Sequence, residues 1–171
     1  MVYCRLKLLN GFNFREVSIM DIFEGMKKVF DYIREKKYGK AFLEVDKLIR
    51  EFGDVDQLWY LKGVVLVNME RYADAIQAFQ KAEELGIEGT KNFYAHYGYS
   101  LFVMRMFDRA VECFKKALEF EDDPNIRALL ILTYTSMEKF DEACREYEYL
   151  KKNYPNLKGI ELLEDDLKGH C

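Results

Sequence analysis

The sequence is poor in the features that would mark a catalyst, a membrane protein or a nucleic-acid binder. It has two histidines and four cysteines in 171 residues, with no CxxC pair and no histidine at metal-ligand spacing. It has no glycine-rich phosphate loop and no nucleophile motif. No uninterrupted apolar run approaches the ~18 residues that crossing a bilayer requires. The N-terminus lacks the apolar core and small-residue cleavage site of a secretory signal. A formal net charge of −4 removes the basic excess that carries most nucleic-acid affinity. The expectations are therefore no catalytic site, no cofactor, no metal, no nucleic acid and no membrane. A cytoplasmic location follows, in which Cys4, Cys113, Cys144 and Cys171 stay reduced, with Cys113 and Cys144 as small packing residues. A bond between the two near-terminal cysteines, Cys4 and Cys171, is the minor alternative.

What is present is apolar and charged in a globular balance, 50% hydrophobic and 33% charged, so one packed domain is expected. Residues Met1–Ile19 read differently from the rest. Two strand-favouring runs flank Asn10-Gly11, a strong hairpin signal because both residues tolerate positive φ. Two strands alone are marginal in water, so such a hairpin has to dock on something. An equal alternative is that residues 1–19 are an extension ahead of a true start at Met20, since Arg15-Glu16-Val17 can be encoded by a sequence resembling a ribosome-binding site.

From Met20 onward the pattern is helical and repeats. Ala41, Ala75, Ala110 and Ala143 are separated by 34, 35 and 33 residues. An aromatic residue precedes each by three: Tyr38, Tyr72, Phe107 and Phe140. Val45, Phe79, Phe114 and Tyr147 follow at four, then Leu48, Ala82, Ala117 and Leu150. A period in this range means stacked helix pairs, each unable to bury its apolar face alone. After Pro155, Leu157, Ile160, Leu163 and Leu167 recur at helical spacing, which predicts a last helix over Leu157–Lys168 ahead of Gly169.

These residues resemble the tetratricopeptide repeat. The second unit supplies Trp59, Gly63, Ala75, Phe79 and Ala82; the third supplies Tyr94, Gly98, Ala110, Phe114 and Ala117. The fourth keeps Tyr134, Ala143 and Tyr147 and ends at Pro155. Val29 and Ile131 stand in the small-residue slot of the outer units, and Lys62 stands where the family prefers Leu. The resemblance implies an all-α, right-handed α-solenoid of four helix pairs (about 22–55, 56–90, 91–123 and 124–156) with a capping helix and tail over 157–171.

In this family the first helices of successive units line a groove that binds peptides. Carried over, that arrangement assigns Phe23, Met26, Phe30 and Ile33 in the first unit and Tyr60, Val64, Val67 and Asn68 in the second. The third contributes Asn92, Ala95, Tyr99 and Phe102, and the fourth Asn125, Ala128, Leu132 and Thr135. Members that bind chaperone tails grip a carboxylate with Lys, Asn and Arg in this groove. Here the slots hold Met26, Phe30, Tyr60, Val64, Ala95 and Tyr99, which offer no cationic fork. The implied function is a non-catalytic scaffold that binds an apolar helix or extended peptide of another protein, with a polar edge of Asn68, Asn92, Asn125 and Thr135. The alternative is a self-associating module whose groove is filled by its own N-terminal segment or by a second copy, as a homodimer. His96 reads as a packed helical residue, and the acidic run Glu119–Asp123 as a solvated turn.

Overall fold

The structure, a computed structural model, describes residues 19–171. The described residues form nine helices and no strand: α1 (Ile19–Arg34), α2 (Tyr38–Phe52), α3 (Asp56–Asn68), α4 (Tyr72–Glu84), α5 (Lys91–Val103), α6 (Phe107–Phe120), α7 (Pro124–Ser136), α8 (Phe140–Asn153) and α9 (Ile160–Leu167). The hairpin expected around Asn10-Gly11 lies outside the described residues.

The eight longer helices form four antiparallel pairs that stack into a solenoid. Each pair turns through one charged residue in the left-handed region: Lys36, Glu70, Arg105 and Glu138, with φ of 57–59°. The N–H after each reaches back to close the first helix: Lys37 to Tyr32 O at 2.8 Å, Arg71 to Leu66 O at 2.9 Å, Met106 to Leu101 O at 2.8 Å and Lys139 to Tyr134 O at 2.9 Å. These are Schellman closures, which need positive φ and usually place glycine there. Packing across the pair therefore holds four ordinary residues in a conformation costing ~1–2 kcal/mol each.

The first helices α3, α5 and α7 are apolar nearly all round. In α3, Leu58, Leu61, Gly63, Val64, Val65 and Leu66 are all buried. Helices of this kind are enclosed on most sides. The second helices carry one apolar stripe, as in α6, where Ala110, Cys113, Phe114 and Ala117 are buried. Two apolar clusters result, one uniting α1, α2 and part of α3, the other running from α3 to α9.

Gly63 and Gly98 make the two central pairs close. A Cβ on Gly63 would lie 2.7 Å from Phe79 Cδ1, and one on Gly98 would lie 2.8 Å from Phe114 Cε1. The first unit solves the same problem one turn earlier. A Cβ on Gly25 would meet Leu48, 3.1 Å from Cδ1 and nearer still to Cδ2. The register positions of Gly25 and Leu48 hold Trp59 and Ala82 in the second unit, and Tyr94 and Ala117 in the third. The larger side chain of the pair has moved from the first helix to the second, and the close approach is kept at this level of the first unit.

The unit-facing positions of the first helix also distinguish the end of the stack. Where α5 has buried Phe93 and Tyr97, and α7 has buried Ile126 and Leu130, α1 has exposed Glu24 and Lys28. Among the described residues, no earlier helix packs on this face of α1.

At the other end, α9 is shorter than expected. It starts at Ile160 because Gly159 takes φ +83°, and Leu157 remains in the preceding turn, where it still packs on the core.

Candidate concave binding surface

Helices α1, α3, α5 and α7 adjoin one another along the stack, whereas α2, α4, α6 and α8 do not meet each other. The layer whose helices lie closer together is the inner side of a curved stack. The first helices are this closer-packed layer, and they form the candidate concave face.

The expected groove residues are not equally available on it. Phe23 and Phe30 of α1 are 63% and 50% exposed, and Met26 and Ile33 beside them are half-buried. Tyr60, Val67, Ala95, Tyr99, Phe102, Ala128 and Leu132 are half-buried. Val64 is 8% exposed and belongs to the core, so little of it faces solvent. Tyr60 spends most of its ring between units, with its centroid 5.7 Å from Phe93 and 6.4 Å from His96. Burial raises its phenol above the usual range. Tyr99 leans edge-on against Tyr72 at 5.9 Å.

The polar edge is largely committed to its own helices. Asn68 Nδ2 donates to Val64 O at 2.9 Å and Thr135 Oγ1 donates to Ile131 O at 3.0 Å. Asn125 Nδ2 donates to Asp123 Oδ1 at 3.3 Å, within the cap of α7. Asn92 is exposed, and its carbonyl bonds to His96 Nδ1 at 2.7 Å. Burial lowers the His96 pKa below its ordinary value, against the opposing effect of that carbonyl.

Other residues are assigned differently once they are placed. Lys62, in an apolar slot, pairs with Asp46 of α2 at 2.8 Å and lies 5.0 Å from the centre of the Trp59 ring and 5.5 Å from that of Phe42. Its stem packs while its charge stays paired. The acidic run is not a solvated turn. Asp123 caps α7, accepting from Asn125 N at 2.9 Å, and it pairs with Lys91 at 3.2 Å; Glu121 pairs with Lys91 at 2.9 Å. Asp122 binds Arg127 and accepts from Tyr149 Oη at 2.7 Å. Burial works against ionisation of Asp122, yet the bonds from Tyr149, Arg127 and Tyr154 outweigh it and hold the carboxyl below its usual range. Arg127, in the register position of Trp59 and Tyr94, also reaches Glu146 and lies 3.9 Å over the Tyr149 ring. Sequence reading missed this knot because its partners come from α7, α8 and the turn between α6 and α7.

The cysteines need a correction. Cys144 and Cys171 form a disulfide with their Cα atoms 5.7 Å apart, so neither is a reduced thiol and Cys171 is not bonded to Cys4. Their sequence separation gave no hint, because the contact arises only when α9 reverses the chain and Gly169, at φ +89°, turns the tail back. Cys113 is free and buried, as expected, and burial pushes its thiol up to about 12. Among the described residues, no group of three or more His, Cys, Asp and Glu is placed to hold a metal ion. No described helix is long and apolar enough to cross a membrane.

Residues 56–85 and 92–124 match the tetratricopeptide repeat family. The chain is 27% identical over 144 residues, 77% of its length, to Superkiller complex protein 3 of Homo sapiens. It is 28% identical over 121 residues, 68% of its length, to the signal recognition particle subunit SRP72 of Caenorhabditis elegans. It spans only 9% and 18% of those two proteins. Among solved structures it resembles YrrB, described as a TPR protein with an unusual peptide-binding site (TM-score 0.73, 17% identity, 85% of this chain and 78% of that one). It also resembles MamA from Desulfovibrio magneticus RS-1 (TM-score 0.74, 16% identity, 87% and 88%). At such identities the structural likeness speaks for the fold alone: the chain carries tetratricopeptide-repeat matches over residues 56–85 and 92–124, within a helical solenoid of the same fold as those structures.

Proposed function

We propose that the chain is a protein–protein interaction scaffold that holds an apolar helix or extended segment of another protein on its concave face. The observation that carries this reading is the exposure of Phe23 and Phe30, with Met26 and Ile33 beside them, at groove positions of α1. Large exposed rings in one strip serve binding more than folding. The groove positions carry no Lys or Arg, so a carboxylate clamp is not part of the proposal. Units over 22–55, 56–90, 91–123 and 124–156, and a cytoplasmic location without a catalytic role, complete it.

The structure sharpens the choice of variants. Val64 and Tyr60 contribute to packing, so replacing them confuses binding with folding. Phe23→Ser and Phe30→Ser change the strip and leave the core intact. The double variant, with unchanged circular dichroism, should lose at least tenfold in affinity for an amphipathic apolar peptide that the wild type binds. Equal affinity would remove the groove from the reading.

A second reading is self-association, with the strip covered by the apolar residues Leu6, Leu8, Leu9, Phe12 and Phe14 or by a second copy. It is favoured by the position of the exposed rings on the helix that directly follows that segment. Light scattering on the full chain and on a chain starting at Met20 separates the cases: monomers in both, with unchanged peptide affinity, eliminate it.

A further inference from the structure

The C-terminal tail is held by three separate kinds of contact. Cys171 is bonded to Cys144 of α8, across a sequence separation of 27. The His170 ring stacks on Phe140 at the start of α8, with centroids 3.5 Å apart and planes 4° from parallel. The N–H groups of His170 and Cys171 both donate to Leu167 O, at 2.9 and 3.3 Å. Between these anchors and the turn at Gly159 lies α9, whose buried residues are Leu163 and Leu167. Those leucines share the core with Tyr147 and Leu150, so α9 closes the apolar end of the stack. An eight-residue helix is well below the length at which helices persist unaided, and two buried leucines, the partly buried Ile160 and an exposed Glu164–Lys151 pair at 3.5 Å are a slender attachment.

We infer that the Cys144–Cys171 disulfide is a redox-controlled latch that holds the capping helix α9 over the end of the solenoid and is released by a dithiol reductant. Cys171 is exposed, whereas Cys144 is partly covered, so an incoming thiolate reaches the Cys171 sulfur. Attack there forms a mixed disulfide with the reductant and expels the Cys144 thiolate. The second thiol of the reductant then displaces Cys171. Two electrons and two protons pass to the protein, the reductant becomes a disulfide, and the tail keeps only its ring stack and backbone bonds. Opening α9 uncovers Tyr147 and Leu150, turning a closed end of the stack into an apolar one.

The full chain can be measured in both states without any substitution. Thiol labelling with intact mass should find Cys144 and Cys171 unlabelled after exposure to oxidised glutathione, and both labelled after dithiothreitol. Hydrogen exchange of the amides of residues 160–167 should accelerate on reduction by on the order of several hundred-fold, the effect of opening a loop of this length. Exchange in α3 to α6 should stay unchanged. Cys171→Ser should show the fast exchange with or without dithiothreitol. Labelling of both cysteines after oxidised glutathione would overturn the inference. So would acceleration of less than tenfold in the reduced wild type.

Discussion

Replacing Gly63 with alanine tests the close helix approach on which the repeat depends. In an unconstrained helix interior the change is favourable by about 1 kcal/mol. Here the new methyl would sit 2.7 Å from Phe79 Cδ1 and 2.8 Å from Cζ, where carbon–carbon contacts prefer ~3.5–4.0 Å. The ring would have to retreat by about 1 Å. It has no free side to retreat to: Phe79 is 0% exposed, and the rings of Tyr60, Phe93 and Tyr97 stand 6.2, 5.7 and 5.5 Å from it. The overpacking cost therefore falls in the upper part of its usual ~1–3 kcal/mol range. After the propensity gain, Gly63→Ala should destabilise by about 1–2 kcal/mol. Thermal and urea unfolding followed by circular dichroism should show Tm lowered by roughly 3–6 °C. Gly39→Ala is the control, because nothing lies within 4 Å of its Cβ position; it should leave stability equal or raised. Adding Phe79→Leu to Gly63→Ala should recover part of the loss in a double-mutant cycle. A Gly63→Ala protein as stable as the wild type would show that the helices do not approach as described.

The four left-handed turn residues make the opposite prediction. Glu70→Gly and Arg105→Gly relieve a strained φ, and each should raise stability by about 0.5–1 kcal/mol after the entropy cost of glycine; a loss in urea midpoint would contradict the turn geometry. Arg127→Ala should cost about 2 kcal/mol by leaving Asp122 and Glu146 without their shared partner, and Arg127→Lys should recover little because it lacks the planar fork. His96 should titrate below 6.5 by NMR. The unfolded chain then binds a proton that the folded chain refuses, so the His96 contribution to stability is complete above about 6.5 and declines as pH falls toward the folded value. An inflection at or above 6.5 would refute the burial of this ring.

Much of this molecule was legible because repetition multiplies weak signals. The alanines at 41, 75, 110 and 143 and the aromatics around them specify helix pairs, since any one position serves the same packing role four times. Departures from the repeat were harder to read. Val29 fills the small-residue slot of the first unit, but Gly25 and Leu48 restore a close approach one turn away. Arg127 and the acidic run looked unrelated until α7, α8 and the turn before α7 brought their charges together. The groove list followed the repeat register and was silent about access. Register follows from helical periodicity, whereas access depends on how far each neighbour covers the side chain, as Val64 and Phe30 illustrate in the same slot.

The sequence by itself determined the helical architecture of the described residues, the number of helix pairs and the absence of Lys and Arg at the expected groove positions. These are local or periodic properties, carried by residues a turn or a repeat apart. Only the tertiary structure decided which apolar residues face solvent, where Lys62 and Arg127 find partners, and that Cys171 meets Cys144. The first two depend on how neighbouring helices stack, and the last on the turns at Gly159 and Gly169, which carry Cys171 back to α8.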